Sequence, residues 1–558
     1  MRASLAIFLV LGHFLISRGG AASLSPQTQN LSNKQALEDF DVMIDAFRNL
    51  YGPLSFKEAR FGYTLDQLVN TYRAEVQASR GDVDTFAAFQ QFISSFHDAH
   101  VSLAIPGNAT DIKDYTVGVF LTPVEGKALV GQVGLDAETE IKVGDECLAI
   151  DGVKPQELLT TVLKYDSLAN KLSDQQFIFY TLVRPFYLRE LVPSKPFAQL
   201  EFQHPDGSKY QAVLPWIAQK DYQSTDTFVA SRPINDSYVH RMNQIFQGST
   251  VLSEGAIEPF FDSAAVKAKF GWVTLAPNSD YLKKYSLTAA TAPNIYSALY
   301  RYKGKNLLLV RQPSYIPQTT IDNALNGYRA ILDQYQSVAD LLILDQTHNP
   351  GGDLEYASGF FSLFAKQQSD NFVEHLHADR KWIFDLRAEA SDALQMGLKL
   401  FAQELELGAQ IVDETIAAKA DLTTPLPLVG LEHIDPDSQF TWNKPMLVLA
   451  DELSGSCGDV FPMLIQRNHV AKIFGQTTMG AGGNVEPVVT LPNSQATLNF
   501  TRGLYTTYRR DGNYSNADLV ENVGITPDIV KTISAADFRA GYVDYVASFS
   551  EAAIAQIR

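Results

Sequence analysis

The sequence PMLVLADELSGSCGDVFPMLIQRN, residues 445–468, combines an apolar run, a turn of small residues and a segment with helical character. The run PMLVLAD shows no alternation of apolar and polar residues, which is typical of a strand buried on both faces of a parallel sheet. The segment GDVFPMLIQRN predicts the helix that follows the turn. A strand, a short turn and a helix in this order predict a layered α/β domain.

Similar elements surround this segment from about residue 303 onward. The stretches NLLLVRQPSYI, ADLLILDQ and AKIFGQTT predict strands, and TIDNALNGYRAILDQYQSV predicts an amphipathic helix. A further helical stretch, RAEASDALQMGLKLFAQELEL, interrupts the alternation of strands and helices. We therefore predict a layered α/β domain over residues 301–558, with a helical insertion around residues 370–440.

The N-terminal part of the chain predicts a signal peptide and a helical domain. MRASLAIFLVLGHFLISRGGAAS has one arginine, a short apolar stretch and small residues, which is the layout of a secretory signal peptide over residues 1–22. An uncleaved membrane anchor is the alternative. Apolar residues recur at intervals of three and four residues in ALEDFDVMIDAFRNLY and DVDTFAAFQQFISSF, which predicts helices within residues 23–114. We expect a secreted protein, extracellular or periplasmic, with no membrane span in the mature chain.

Residues 115–216 predict a β-rich domain. YTVGVFLTPVEGKALVGQV contains two strand-like runs around a turn, and IKVGDECLAIDGVKPQELL contains a strand, an Asp-Gly turn and the start of a helix. The stretch resembles a PDZ domain, although another small β-domain would share the pattern. Residues 217–300 have weak periodicity, and we interpret them as a linker.

Charge and composition exclude several classes of partner and site. The chain has 558 residues and a net charge of -18 at pH 7, so the phosphate backbone of a nucleic acid would be repelled. Two cysteines, Cys147 and Cys457, are too few for a disulfide scaffold. His97 and His100 have no accompanying Glu-x-x-His pattern, so we predict no metal and no other cofactor.

Two turns of the α/β domain have features of a catalytic site. Ser456 follows a buried strand and precedes a helix, at the carboxyl edge of the sheet where such folds place functional sites. A loop serine or helix cap is the alternative. Gly351 and Gly352 end another predicted strand, and glycine lets backbone amides turn toward a ligand, as an oxyanion hole requires. A simple tight turn is the alternative there.

Two charged or titratable residues elsewhere could complete such a site. His100, in FHDAHVSL, is a candidate general base. Glu521, in LVENVGITPDI, is a candidate carboxylate to hold an imidazole in one tautomer. A structural histidine and a solvated surface glutamate are the respective alternatives.

The order of these motifs resembles the S41 peptidase family, the tail-specific and C-terminal processing proteases. In that family an Asp-x-His motif precedes a PDZ-like domain. Asn-x-Gly-Gly, a serine-rich turn, Gly-x-x-Thr-x-Gly-x-Gly and Glu-Asn-x-Gly-x-x-Pro-Asp then follow. Here the five motifs read DAHVSL, NPGG, SGSCGD, GQTTMGAGG and VENVGITPD. The resemblance implies a crotonase/ClpP-like layered fold for residues from about 300 to 535.

Two positions depart from the family pattern. Val101 stands where the family has Ser or Thr, and Ala481 stands where many members have the lysine that accepts the serine proton. A methyl group cannot accept a proton. The chain also resembles the tricorn-type branch of the family, which uses a histidine and a glutamate instead. This resemblance implies that Ser456 is the nucleophile, His100 the base and Glu521 the residue that orients the base.

The resemblance further implies the reaction and its partners. It implies a serine endopeptidase that hydrolyses protein or peptide substrates through an acyl-enzyme, and it suggests a homodimer. The oxyanion would be bound by the N–H of Cys457 and by that of Gly351 or Gly352. The thiol of Cys457 is the rival nucleophile within the same turn.

Two other functions fit parts of the same sequence. Ala481 favours a catalytically inactive S41-fold protein that binds peptides or a small ligand. A crotonase-fold acyl-CoA enzyme is the other alternative, and the signal peptide argues against it.

Overall fold

The computed structural model describes residues 31–105, 114–133, 140–219, 257–427, 432–509, 514–515 and 518–557. The predicted signal peptide therefore lies outside the described residues. None of the helices in these ranges combines the length and the apolar composition needed to cross a membrane.

Four helices form the N-terminal region, as the sequence predicted. Ser32 and Thr64 accept hydrogen bonds from backbone amides three residues on, so they cap the first and third helices. Phe47 and Phe96 stack with ring centroids 4.1 Å apart in the aromatic core between the helices. The helices are α1 (Asn33–Leu50), α2 (Leu54–Phe61), α3 (Leu65–Ala78) and α4 (Asp82–Ser94), and the strand β1 (Ser102–Ala104) follows them.

A small β-domain comes next in the chain. A five-stranded antiparallel sheet has the order β3-β4-β5-β7-β8, and a second sheet has the order β6-β2-β9. A 3₁₀ segment, Gln176–Thr181, packs against α5 and β3, and all six of its residues are buried. The elements are β2 (Asp114–Thr116), β3 (Val119–Val124), β4 (Lys127–Val133), β5 (Glu146–Ile150), α5 (Pro155–Val162), α6 (Lys171–Gln175), β6 (Val183–Arg184), β7 (Phe197–Gln203), β8 (Lys209–Pro215) and β9 (Ile217–Gln219).

The C-terminal half of the chain is the layered α/β domain. Its first part contains α7 (Ala264–Phe270), β10 (Val273–Leu275), α8 (Ser279–Lys284), β11 (Ser297–Tyr302), β12 (Lys305–Arg311), α9 (Ile321–Gln336), β13 (Leu341–Asp345), α10 (Leu354–Ser362), β14 (Ser369–Asp370) and β15 (Phe372–Leu376). The helices α11 (Arg380–Gln395) and α12 (Lys399–Ala417) lie within the predicted insertion. The remaining elements are β16 (Leu426–Pro427), β17 (His433–Ile434), β18 (Met446–Ala450), α13 (Cys457–Arg467), β19 (Lys472–Gly475), β20 (Gly483–Thr490), β21 (Thr497–Thr507), β22 (Ile529–Val530), α14 (Ala535–Arg539) and α15 (Val543–Ile554).

The central sheet of this domain has seven strands in the order β10-β11-β12-β13-β18-β19-β22. Neighbouring strands are parallel from β12 to β22. Side chains of β13 alternate between two cores, since Leu342 and Leu344 pack with α9, α10 and α13, whereas Leu341 and Ile343 pack with α15. Because both faces are covered, the strand sequences are apolar without alternation, as predicted.

The sheet begins inside the stretch that we had interpreted as a linker. β10 and β11 pair with each other, and β11 pairs with β12, all antiparallel. Residues 217–300, predicted as a linker, therefore include residues 217–219, 273–275 and 297–300, which are strands of the two sheets. β10 has only three residues, and both the apolar Val273 and the polar Thr274 are exposed, so its sequence carries almost no periodic signal.

A second sheet joins the N-terminal helices to the α/β domain. Its strand order is β1-β21-β15-β16, with β20 also paired to β21. β1 pairs antiparallel with β21, and Ser102 lies opposite Asn499. Since β1 begins two residues after His100, this pairing fixes the histidine segment against the α/β domain.

Truncation of a core side chain in the central sheet will test this architecture. Leu344→Ala removes a fully buried side chain of β13, and we expect a loss of about 2–5 kcal/mol in the free energy of unfolding. The measurement is urea denaturation. Val338→Ala, at an exposed position between α9 and β13, is the control and should stay within about 0.5 kcal/mol. Equal losses for both variants would contradict the placement of β13 at the centre.

Candidate active site

Ser456 lies at the end of the turn between β18 and α13. Its backbone has φ 55° and ψ -120°, in the left-handed half of the Ramachandran map, a conformation that costs a non-glycine residue about 1–3 kcal/mol. Its hydroxyl makes no hydrogen bond to any described residue, and its carbonyl accepts the N–H of Asp459 at 2.8 Å and that of Val460 at 3.0 Å. The turn therefore presents a free hydroxyl at the N-terminus of a helix.

The Asn-Pro-Gly-Gly turn after β13 lies against the serine. Gly351 and Gly352 both have positive φ, 101° and 138°. A Cβ atom added to Gly351 would lie 2.5 Å from the Cβ of Ser456, so only glycine allows this approach. The N–H of Gly455 donates to the carbonyl of Asn349 at 2.9 Å, which joins the two turns.

Two backbone donors beside Ser456 lack an acceptor. Neither the N–H of Gly352 nor that of Cys457 donates to any residue in the part of the chain that the structure describes. The N–H of Gly351, in contrast, donates to Oδ1 of Asn349 at 2.9 Å. Of the two glycines considered from the sequence, Gly352 thus has the available amide.

The thiol of Cys457 points away from the open side of the turn. Its Sγ donates to the carbonyl of Gly352 at 3.0 Å, and the side chain is fully buried. Burial raises the pKa of this thiol well above its usual range. A protonated, hydrogen-bonded thiol is a poor nucleophile. Cys147 is also a free, buried thiol.

The loop that contains Ala481 is held by a carboxylate of α13. Asp459 accepts the N–H of Gly480 at 2.9 Å through Oδ1 and the N–H of Ala481 at 2.9 Å through Oδ2. The hydroxyl of Thr478 also donates to Asp459. Because Asp459 lies three residues after Ser456, the Ser456 turn and this loop form one hydrogen-bonded unit.

Glu521 is fully buried and is bound on both oxygens. Its Oε2 accepts the N–H of Gly482 at 2.8 Å, and its Oε1 forms an ion pair with Lys57. Burial raises the pKa of the Glu521 carboxyl to about 7, and Lys57 opposes that rise. The glutamate is therefore connected to the Ala481 loop on one side and to helix α2 on the other.

His100 lies in the same buried region as Glu521. It is 4% exposed, and neither ring nitrogen has a hydrogen-bond partner among the described residues. Burial lowers the pKa of His100, Asp98 opposes this, and Lys57 adds to it. The N–H of His100 donates to Asp98 at 2.9 Å, which orients the backbone of the segment.

The structure thus brings the predicted residues together in two groups. One group is Ser456 with the two glycines and Cys457. The other, which we call the buried charge cluster, consists of Lys57, Asp98, His100 and Glu521. The loop at Ala481 and Gly482 connects the groups through hydrogen bonds to Asp459 and Glu521. No described hydrogen bond joins His100 to Ser456 or to Glu521, so those two contacts stay predictions.

Sequence reasoning missed three members of this network. Lys57 belongs to an eight-residue helix, too short for a clear periodic signal. Asp98 stands in the quoted Asp-x-His motif, but only its histidine was interpreted. Asp459 follows the serine by three residues and lies in the first turn of α13. This position is the one sequence signal that could have indicated its role in the network.

The small β-domain contacts three loops of the site. Gln176 Nε2 donates to Glu452 at 2.7 Å, four residues before the serine. Asn170 Nδ2 donates to the carbonyl of Met479 at 2.7 Å, and Asn522 Nδ2 donates to that of Ala169 at 2.7 Å. The domain therefore supports the site from one side. Among the described residues, no group of three or more His, Cys, Asp or Glu side chains could hold a metal ion.

Proteins of known sequence resemble this chain over nearly its whole length. A Chlamydia trachomatis protein is 23% identical, with 95% of this chain and 94% of the relative aligned. A Chlamydia pneumoniae protein is 21% identical, with 94% and 91% aligned. The structure of mature CPAF in complex with lactacystin has a TM-score of 0.71 at 21% identity, with 94% of this chain and 99% of that chain covered. These likenesses establish the common fold.

The α/β domain also matches a family by its sequence. The model of peptidase family S41 matches residues 312–531, which include the glycine turn, Ser456, the Ala481 loop and Glu521. The part of the chain that contains these residues is therefore a serine-type peptidase domain of the S41 type.

Proposed function

We propose that the chain is a secreted serine endopeptidase that hydrolyses protein or peptide substrates through an acyl-enzyme on Ser456. The observation that carries this proposal is the Ser456 turn, in which a strained, unbonded hydroxyl lies beside two unused N–H donors. Strain of this kind persists where the surrounding structure maintains it, and it is common at active sites. Secretion rests on the sequence of residues 1–22 alone, and the homodimer rests on resemblance.

The chemistry begins with attack of Ser456 Oγ on the carbonyl carbon of the scissile peptide bond. His100 accepts the hydroxyl proton and later delivers it to the leaving amine. A water molecule then hydrolyses the acyl-enzyme, with His100 again as base. Since burial lowers the pKa of His100, the imidazole is neutral and able to accept a proton at neutral pH.

The negative charge of the tetrahedral intermediate needs donors that are already in place. The N–H groups of Gly352 and Cys457 are suited to this role, because neither is used elsewhere among the described residues. One such donor contributes about 3 kcal/mol to the stability of the transition state. Helix α13 adds its N-terminal partial charge at the same point.

The direct contact between His100 and Ser456 would form in the substrate complex. Catalytic hydrogen bonds are often long or absent without substrate and tighten in the Michaelis complex. Glu521 would then act on His100 through the buried charge cluster, because both residues share Lys57 and Asp98 as electrostatic neighbours.

The small β-domain resembles a PDZ domain in sequence, and a PDZ domain binds peptides as an added strand. Here the edge strand β3 and helix α5 pack on the buried segment Gln176–Thr181 of the same chain. We infer that a peptide can be added to this edge only if that segment moves.

An inactive peptide-binding or ligand-binding protein is the second candidate. Ala481 favours it, since no lysine follows the Thr-x-Gly motif, and so does the missing bond between Ser456 and a base. The buried imidazole of His100 argues against it. Its two nitrogens have no hydrogen-bond partner among the described residues, which destabilises the fold without any benefit to a protein that only binds ligands.

Labelling of the nucleophile separates the two candidates. The parent protein should react with a fluorophosphonate probe and cleave denatured casein, and Ser456→Ala should abolish both because it removes the only proposed nucleophile. Ser337→Ala, at an exposed helix end, is the control and should behave as the parent. Labelling that survives Ser456→Ala would contradict the proposal.

A methyl group on the glycine turn should reduce catalysis more than stability. Gly351→Ala places a Cβ 2.5 Å from the Cβ of Ser456 and 2.8 Å from the backbone nitrogen of Cys457, so it displaces one proposed oxyanion donor, and we expect kcat to fall by about 10²-fold or more. Gly126→Ala is the matched control, since it also has positive φ but no atom within 4 Å of the added Cβ. Equal kcat values for the two variants would exclude a catalytic role of the turn.

The pH dependence of kcat/KM reports which groups must be deprotonated. Glu521 has a pKa raised to about 7 and His100 has one lowered from 6.5, so the parent should gain activity as pH rises through about 7. Glu521→Gln should lower kcat/KM and leave an acid limb below 6.5, set by His100. An unchanged limb near 7 in Glu521→Gln would show that another group titrates there.

A further inference from the structure

Lys57 is a lysine in an interior position. Its side chain is 0% exposed, which is rare for lysine because an ammonium ion loses its hydration on burial. Such a position requires strong compensation from neighbouring acceptors. The residue lies on α2, in the N-terminal helical region, and its partners include His97 of the same region and Glu521 of the α/β domain.

All three protons of the ammonium group have acceptors. Nζ donates to the carbonyl of His97 at 2.9 Å, to Oδ1 of Asn522 at 2.6 Å and to Oε1 of Glu521. Oδ2 of Asp98 lies 4.0 Å away. An ammonium group bound in this way has no lone pair, so Lys57 cannot itself accept the proton of Ser456.

The contacts of Lys57 join the two segments that contribute His100 and Glu521. His97 and Asp98 lie three and two residues before His100, and Asn522 immediately follows Glu521. Asn522 Nδ2 also donates to the carbonyl of His97 at 2.7 Å, and Arg60 of α2 donates to the carbonyl of Asn522 at 2.9 Å. Lys57 is thus at the centre of the contact between both segments.

The position of Lys57 also relates to the lysine that is absent at residue 481. The Glu521 carboxylate that Lys57 binds accepts, on its other oxygen, the N–H of Gly482, next to Ala481. A cation is therefore present near this loop, but it comes from another region of the chain and contacts the glutamate instead of the serine.

We propose that Lys57 is a positioning residue of the active site, which keeps Glu521 ionised and holds the His100 and Glu521 segments in register. This rests on the proposed function, because Glu521 matters only if it acts on the base. Two carboxylates, Glu521 and Asp98, lie near a single lysine, so removal of the lysine leaves two buried negative charges that repel each other.

The expected signature is a change in the pH profile. Without Lys57, burial and Asp98 both disfavour the ionised form of Glu521, so its pKa rises. An opposite charge at this distance shifts a carboxyl pKa by about 1–3 units. The charged or titratable groups packed around Glu521 are Lys57 and Arg60 of α2, Tyr51 after α1, and His97, Asp98 and His100 of the histidine segment.

The test measures the rate of fluorophosphonate labelling and kcat/KM from pH 5 to 9 in the full chain. For Lys57→Met we expect the acid limb to move up by about 1–3 pH units, with kcat lowered more than KM is raised. Lys57→Arg, which keeps the charge, should return the limb toward that of the parent. Lys34→Met removes an exposed lysine of the same region and is the control. An unshifted limb in Lys57→Met overturns the proposal.

A double variant covers the case in which Lys57→Met does not fold. Glu521→Gln/Lys57→Met removes both charges of the pair, and its acid limb should lie less than about 1 pH unit from that of Glu521→Gln alone, because Lys57 acts on this limb mainly through Glu521. A shift of the acid limb by about 1–3 pH units between Glu521→Gln and the double variant overturns the proposal, because Glu521 could not then be the group through which Lys57 acts. Ser456→Ala in the same series distinguishes a failure of the Lys57 proposal from a failure of the proposed function. Labelling that survives Ser456→Ala overturns the proposed function.

Discussion

The parallel pairing of β13 with β18 is the constraint on which the site depends. Leu342 lies opposite Met446 and Asp345 opposite Leu449, so both strands end at the same edge of the sheet. The N–H of Gln346 continues the pairing to the carbonyl of Leu449 at 3.1 Å. The turns that follow are therefore neighbours, and their chemistry depends on how closely two backbones can approach. Glycine at position 351 and the positive φ of Ser456 allow the two backbones to come this close.

This pairing positions the proposed nucleophile, whereas the proposed base comes from another part of the fold. His100 reaches the α/β domain through the antiparallel pairing of β1 with β21, and Lys57 reaches it through α2. Both come from the N-terminal helical region. The site is thus complete only when that region is docked, and the buried ion pair of Lys57 with Glu521 makes a poorly docked state costly, because it would leave a charge without its partner.

Much of the fold could be predicted from the sequence because its signals are local. Apolar runs without alternation identified the strands that helices cover on both faces. Apolar residues at helical spacing identified the helices of the N-terminal region. The stretch at β10 and β11 was misinterpreted because β10 is a three-residue edge strand with little burial and thus little pattern. Lys57 was missed for a different reason: its environment is set by Glu521, 464 residues away in the chain, and no local pattern reports such a contact.

The substitution at Ala481 can be understood from the same contacts. The N–H of Ala481 binds Asp459, and its side chain is 2% exposed, so the loop is fixed by its backbone and has little room for a longer side chain. A lysine added there would also lie close to the cation that Glu521 already binds, and like charges in a buried site repel. Lys57 on α2 therefore supplies a positive charge near this loop, without the proton-accepting role that the family pattern gives to a lysine at position 481. Because all three protons of the Lys57 ammonium have acceptors, Lys57 is not the proton acceptor, and the proposed acceptor is His100.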